Sequence, residues 1–213
     1  MLGKLFIFEG GEGAGKTTLI KNLSSVLTEK GYSIVTTREP GGTPYAEEVR
    51  EALIKKRANH DDYPTPRSQL LGFYSARFDH IEKVIVPALR EGKVVLCDRF
   101  ELTSYAYQVH SLGPELHELF MVLHAGVCEL LREFSPTYIV CELDPETGVR
   151  RALSRDDNNT SFDEKNMDFH YKANEGRKEA QKHIDPCFTF ATIDASRSPE
   201  EMMEKSLTIM NLG

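Results

Sequence analysis

A chain of 213 residues with 40% hydrophobic side chains and a net charge of −7 has room for one ordinary α/β domain, at roughly 100 to 200 residues per domain. The acidic balance excludes a nucleic-acid sheath and a binder of anionic membrane surfaces, both of which need a basic face. Anionic ligands must then be held by individually placed Arg and Lys.

The apolar run Leu5-Phe6-Ile7-Phe8 predicts a buried strand. Directly after it, Gly10-Gly11-Glu12-Gly13-Ala14-Gly15-Lys16-Thr17 matches the phosphate-cradling pattern G-x-x-x-x-G-K-[ST]. Without Cβ atoms the glycines let successive backbone N–H groups converge on phosphate oxygens, while Lys16 adds a point charge and the Thr17 hydroxyl can ligate Mg²⁺. A helix is predicted over Thr18 to Lys30, with Leu19, Leu23 and Val26 on one face and Gly31 as its stop; its positive end points at the same anion. A bound nucleoside triphosphate is the expectation.

Ser33 to Thr37 reads as the second strand, closed by Arg38-Glu39-Pro40-Gly41-Gly42-Thr43, and Tyr45 to Lys56 as a helix with Ala46, Val49 and Leu53 on one stripe. A long helix starts after the N-cap Thr65 with Pro66 in first position. It turns Leu70, Tyr74, Phe78, Ile81 and Ile85 inward, and Pro87 is expected to kink or shorten it. Phe73 and Arg77, four apart, share a face and present a ring beside a guanidinium. Lys93 to Cys97 is a third strand ending in Asp98-Arg99. Because ligands sit beyond the carboxyl ends of parallel strands, Asp98 can hold Mg²⁺ directly or through water and Arg99 a phosphate bidentately.

Pro114 to Phe134 predicts a helix with Leu116, Leu119, Leu123, Val127 and Leu130 inward, Thr137 to Leu143 a strand, and Glu146 to Leu153 a helix. The polar stretch Ser154 to Asn166 reads as a lid, within a segment of about 151–166. A helix from Met167 to Lys182, a strand from Cys187 to Ile193, and a helix opened by the S-x-x-E box of Ser198 and Glu201 complete the chain. The β-α alternation implies a three-layer α/β P-loop fold with a five-stranded parallel sheet, helices on both faces and a short lid, in one domain over 1–213. Cys97, Cys128, Cys141 and Cys187 show no C-x-x-C spacing, so they read as reduced thiols of a cytoplasmic protein rather than metal ligands. No basic leader precedes the first strand and no run approaches a membrane span, so a soluble, unprocessed protein is expected.

Taken together, Glu9 to Thr18, Arg38 to Thr43, Phe73-Tyr74-Ser75-Ala76-Arg77, and Asp98-Arg99-Phe100 with Ser104 and Tyr107-Gln108 resemble the thymidylate kinases in sequence, order and spacing, over nearly the whole chain. The resemblance implies transfer of the γ-phosphoryl group of ATP to dTMP with Mg²⁺, by a homodimer. It implies that Gly10, Gly11, Glu12, Gly13, Ala14, Gly15, Lys16, Thr17 and Thr18 receive ATP, with Thr17 and Asp98 at the metal. Glu12 would face the deoxyribose 3′-hydroxyl and Arg99 hold the monophosphate, with Glu39 and Pro40 beside the substrate. Phe73 would stack on thymine, Arg77, Ser104 and Gln108 would meet the base edge, and Tyr107 would crowd C2′. Ser196, in Ala195-Ser196-Arg197, would lie along adenine.

Family members with a glycine at position 13 carry a catalytic arginine in the lid. Here Thr160-Ser161-Phe162-Asp163-Glu164 contains none, which leaves Arg155 as the expected catalytic arginine and Arg151 as the anchor of the lid base near ATP. A kinase of broader deoxynucleoside monophosphate range, a P-loop switch without kinase activity, and a catalytically silent relic are the alternatives. The guanine-reading N-K-x-D pattern is absent, and retention of Lys16, Thr17, Asp98 and Arg99 together speaks against the relic.

Overall fold

The computed structural model describes residues 2–55, 62–154 and 165–212. Its centre is an all-parallel sheet of β1 (Lys4–Gly10), β2 (Ile34–Arg38), β3 (Val94–Asp98), β4 (Thr137–Glu142) and β5 (Thr189–Asp194), in the order β2-β3-β1-β4-β5. The near-continuous apolar sequences of β1 and β3 are what a strand covered on both faces requires. Alternate side chains feed two cores. Leu5, Ile7, Val95, Cys97 and Tyr138 point to one, while Phe6, Phe8, Val94, Leu96 and Ile139 point to the other.

The second core is closed by α1 (Lys16–Glu29) and α9 (Pro199–Met210). The first is closed by α3 (Pro66–His80) and α6 (His117–Leu131), with α4 (Val86–Arg90) at its edge. The helices α2 (Pro44–Ile54), α5 (Glu101–Ser104), α7 (Pro145–Leu153) and α8 (Met167–Ala180) gather around the carboxyl ends of the strands. The chain leaves β1 toward β2 on one side and β3 toward β4 on the other. That reversal opens a crevice between the loops after β1 and β3.

Several local expectations shift. Helix α1 opens at Lys16, two residues before the apolar periodicity starts, because Gly15 sits at φ 79° and turns the loop straight into the helix. Leu27 takes the buried position expected of Val26, which is half-buried. Along α6 the deepest positions are Phe120, His124, Val127, Cys128 and Leu131, so the inward stripe is rotated from the predicted one. Leu119, Leu123 and Leu130 flank it, because His124 is drawn inward by a buried carboxylate, Glu101, at 3.1 Å. Near Pro87 the helix neither stops nor sharply breaks: the turn Ile81–Ile85 widens to π geometry and α4 continues with Pro87 in its first turn. A second π segment, Tyr105–Ser111, has no apolar periodicity that foretold it, and α8 packs against it through Gly176, where a Cβ would meet Ala106 and His110.

The expected Ser198–Glu201 capping box forms at α9, with Glu201 N–H donating to Ser198 Oγ at 3.2 Å and Ser198 N–H to Glu201 Oε2 at 3.0 Å. Ser198→Ala is expected to cost about 1 kcal/mol in urea unfolding, and an unchanged midpoint would contradict the contribution of the box.

Candidate active site

Lys16 is buried at the base of the loop, where its Nζ donates to the carbonyl oxygens of Gly10 at 3.0 Å and Gly11 at 2.9 Å. Burial and then the charge of Arg99 push its ammonium below the usual lysine range. Thr17 Oγ1 donates to Asp98 Oδ2 at 2.9 Å, and the other Asp98 oxygen, Oδ1, is buried with no hydrogen-bond partner among the described residues. A hydroxyl and a half-satisfied carboxylate side by side form the hard oxygen donor set that suits Mg²⁺. Gly13 has φ 68°, and a Cβ there would strike the Gly148 carbonyl of α7.

Arg99 follows the last residue of β3 in the left-handed region, φ 68°, which an arginine adopts only when its surroundings hold it there. The fully buried Glu9 does so: its carboxylate accepts from Phe100 N–H at 2.7 Å, Thr103 N–H at 3.1 Å and Thr103 Oγ1 at 2.6 Å. The Arg99 N–H itself donates to Phe8 O at 2.9 Å. The guanidinium then reaches Gly10 O at 3.2 Å through Nη1 and Glu12 Oε1 at 2.6 Å through Nη2. Tyr107 Oη donates to the same Glu12 oxygen at 2.8 Å. Burial alone would raise the Glu12 carboxyl, but Arg99, Lys16 and the Tyr107 hydroxyl overcome it and hold it at about 2. At neutral pH Glu12 is therefore an acceptor only.

Deeper in the crevice, Arg77 is almost fully buried, with Nε donating to Glu39 Oε2 at 2.6 Å and Nη2 to Ser104 Oγ at 2.9 Å. The remaining nitrogen, Nη1, is buried without a partner among the described residues, and the guanidinium lies over Tyr74 and Phe100, 4.5 and 5.0 Å from their ring centroids. Glu39 is fixed in turn by His80 Nδ1 at 3.0 Å, and His80 Nε2 meets Thr37 Oγ1 at 2.6 Å. Gln108 donates to Gln69 Oε1 at 3.3 Å. One cavity of about 1160 Å³ runs from Lys16 and Thr17 past Glu12, Arg99 and Tyr107 to Phe73, Arg77, Ser104 and Gln108.

Glu39, Pro40 and Thr18 also line this cavity; Gly10 and Gly11 do not, and their carbonyl oxygens are turned to Lys16, that of Gly10 also to Arg99. Ser196 stands apart in the loop after β5, bonded to Asp194 through its N–H at 2.9 Å and its hydroxyl at 2.6 Å. Arg151 donates to Ala195 O at 3.1 Å, so it ties α7 to that loop. Arg155 and most of the 151–166 lid lie outside the described residues.

Sequence reasoning missed three groups. Glu9 stood in the family motif with no function attached. Arg50, half-buried on α2, lines the same cavity and donates to Pro40 O at 3.2 Å. Arg177 on α8 is almost fully buried, its Nη1 has no partner among the described residues, and its charge helps to depress Glu12. The signal for Arg177 was available, because Phe169, Ala173 and Ala180 form an inward stripe in which an arginine occupies the next register position.

The sequence profile described as thymidylate kinase matches residues 8–206. The chain belongs to the thymidylate kinase family. It is 33% identical over 212 residues to the thymidylate kinase of Bacillus velezensis, covering 99% of this chain and 96% of the relative. It is 36% identical over 208 residues to that of Caldicellulosiruptor saccharolyticus, at 96% and 94% coverage, and 36% identical over 200 residues to that of Acinetobacter baumannii, at 94% and 96%. Among the described residues no helix is long and apolar enough to cross a membrane.

The depressed Glu12 value sets a pH dependence. A carboxyl held at about 2 against an ordinary 4.5 contributes stability that is complete above pH 4.5 and is lost as pH falls toward 2. Glu12→Gln is expected to flatten unfolding free energy against pH in that window and to destabilise the protein at pH 7 by about 1 to 3 kcal/mol. Urea unfolding of both proteins from pH 7 to pH 2 measures it, and parallel acid limbs would contradict it.

Proposed function

We propose that this chain transfers the γ-phosphoryl group of ATP to dTMP, giving ADP and dTDP, as a kinase of the cytoplasm. Family membership supports the reaction. The single geometric observation that carries the roles of the residues is the sharing of one oxygen, Gly10 O, by Lys16 at 3.0 Å and Arg99 at 3.2 Å. Phosphoryl transfer needs two anionic substrates brought together in line and their repulsion neutralised, with little covalent help from the protein. A cation of the triphosphate loop and a cation at the end of β3 that meet at one atom meet that need.

In this reading the loop from Gly10 to Thr18 and Lys16 cradle the ATP phosphates, and Ser196 borders adenine. Thr17 and Asp98 hold Mg²⁺, which neutralises charge on the phosphate oxygens when bound. Arg99 exchanges Glu12 for the dTMP phosphate. Glu12, ionised at any physiological pH, accepts from the 3′-hydroxyl, and Tyr107, whose hydroxyl is spent on Glu12, presents its ring edge to C2′. The partnerless Arg77 Nη1 donates to a thymine carbonyl, with Phe73 as the stacking face and Gln108 at the base edge. Glu39 and Pro40 hold Arg77 and Arg50 in place around the acceptor.

The backbone of α7 leaves no room for a side chain at Gly13, so the loop cannot supply a further cation there. Arg151 is engaged by Ala195 O, and we assign the remaining catalytic charge to Arg155 of the lid. The chain works as a homodimer in this reading, supported by the exposed apolar Leu71 of α3 and Val122 of α6 on two helices that touch through Phe78 and Gly126.

ADP formation measured with dTMP, dUMP, dGMP and dCMP tests the reaction. dTMP is expected to give the highest kcat/KM, and ATP consumption that is independent of the monophosphate would overturn it. In the same assay Arg99→Ala is expected to raise the KM for dTMP at least 10-fold, with that for ATP changed less than about threefold.

A further inference from the structure

Away from the phosphate crevice, one group of three metal-type donors is found among the described residues: Cys128 Sγ, an Asp185 carboxylate oxygen and Cys187 Sγ, all within 4.8 Å of one another. Cys128 comes from α6, and Asp185-Pro186-Cys187 from the connection between α8 and β5. The sequence alone disfavoured metal binding by the cysteines because their spacing is irregular. In the fold, Cys128 lies beside donors 57 and 59 positions further along the chain.

The group is held by a frame of hydrogen bonds. His124, one helical turn before Cys128, accepts the Asp185 N–H at Nε2, 2.9 Å, and so pins the connection to α6. Its Nδ1 meets both oxygens of the fully buried Glu101 at 3.1 Å, and Glu101 is fixed in turn by the Tyr74 hydroxyl at 2.8 Å. Cys128 Sγ stands 3.2 Å from His124 Nε2. On the connection, Asp185 Oδ1 accepts the Cys187 N–H at 2.8 Å, which folds the Cys187 side chain back toward Cys128. None of these residues takes part in the phosphate or base sites.

Two sulfurs and one carboxylate oxygen on two rigidly joined elements are a donor set for a borderline-soft d¹⁰ cation, whereas Mg²⁺ and Ca²⁺ prefer oxygen alone. We propose that Cys128, Asp185 and Cys187 bind one divalent cation of the zinc class, with its fourth position open to solvent beside the partly exposed Asp185 and Cys187. On binding, each S–H bond is exchanged for a sulfur–metal bond and two protons pass to solvent; nothing is oxidised. The bound ion cross-links α6 to the segment that leads into β5. A disulfide is the competing fate of the two sulfurs: two S–H groups and one hydroperoxide would give S–S, water and an alcohol, and Asp185 would have no part in it.

The test uses the full chain, reduced and metal-free, in excess Mg²⁺, titrated with Co²⁺ and then with Zn²⁺. One equivalent of Co²⁺ is expected to give a thiolate-to-cobalt charge-transfer band with four-coordinate d–d absorption, and one equivalent of Zn²⁺ to abolish both. Cys187→Ser, at a half-exposed position that folding tolerates, is expected to weaken Zn²⁺ binding at least about 10-fold, with Asp185→Asn weakening it less. Zinc should raise the Tm of the wild type more than that of Cys187→Ser. A wild-type cobalt complex without the thiolate band, or equal zinc affinity in Cys187→Ser, would overturn the proposal. So would a reduced protein that forms the Cys128–Cys187 disulfide in air and takes up no zinc.

Discussion

Two cations are made to share one oxygen. Lys16 and Arg99 approach Gly10 O to 3.0 and 3.2 Å from opposite sides of the crevice, and at such range like charges repel by a few kcal/mol even at an effective dielectric of about 20. The protein offsets this with Glu12 on Arg99 and Asp98 near Lys16, and the balance shows in the titration of the groups. Lys16 is held below its usual range and Glu12 far below its own. In the proposed reaction the incoming phosphates would supply the negative charge that offsets this repulsion.

That convergence requires an arginine in a backbone conformation arginine avoids. Glu9 is the device that enforces it. As the residue that ends the apolar run of β1, Glu9 would be an error in a two-faced parallel strand, but its three accepted hydrogen bonds join the phosphate loop to the turn after β3. The same logic recurs at Glu39, which ties Arg77 and His80 together, and at Glu101, which ties Tyr74 and His124. Each of these buried carboxylates joins elements distant in the chain, and each is satisfied by several donors, as burial of charge demands.

Much of the fold was legible because its signals are local. The five strands, the Thr65-Pro66 start of α3 and the Ser198 box depend on periodicity and capping within a few residues. The positions of Lys16, Thr17, Asp98 and Arg99 followed from motifs that end strands, and Phe73 and Arg77 from helical spacing. All six line one cavity. Buried charge was not legible. Glu9, Arg177 and His124 carry no local signal of burial, and the partners of Glu9 and His124 lie tens of residues away. The rotated stripe of α6 is one result, since hydrophobicity favoured Leu123 where the Glu101 carboxylate selects His124. The proximity of Cys128 and Cys187 was hidden for the same reason, since the chain that joins them gives no spacing signal.

In the proposed reading the donor and acceptor sites form one electrostatic unit, which can be probed by a single ligand that spans it. In a compound that joins adenosine to thymidine through a pentaphosphate bridge, the second nucleoside binds at the effective concentration set by the first. Equilibrium titration should show it binding at least about 10²-fold tighter than ATP or dTMP alone. Lys16→Ala and Arg99→Ala should be coupled in its affinity, by about 1 kcal/mol or more in a double-mutant cycle. A spanning ligand no tighter than ATP, or cation effects that simply add, would contradict the claim that Lys16 and Arg99 serve one shared phosphate path.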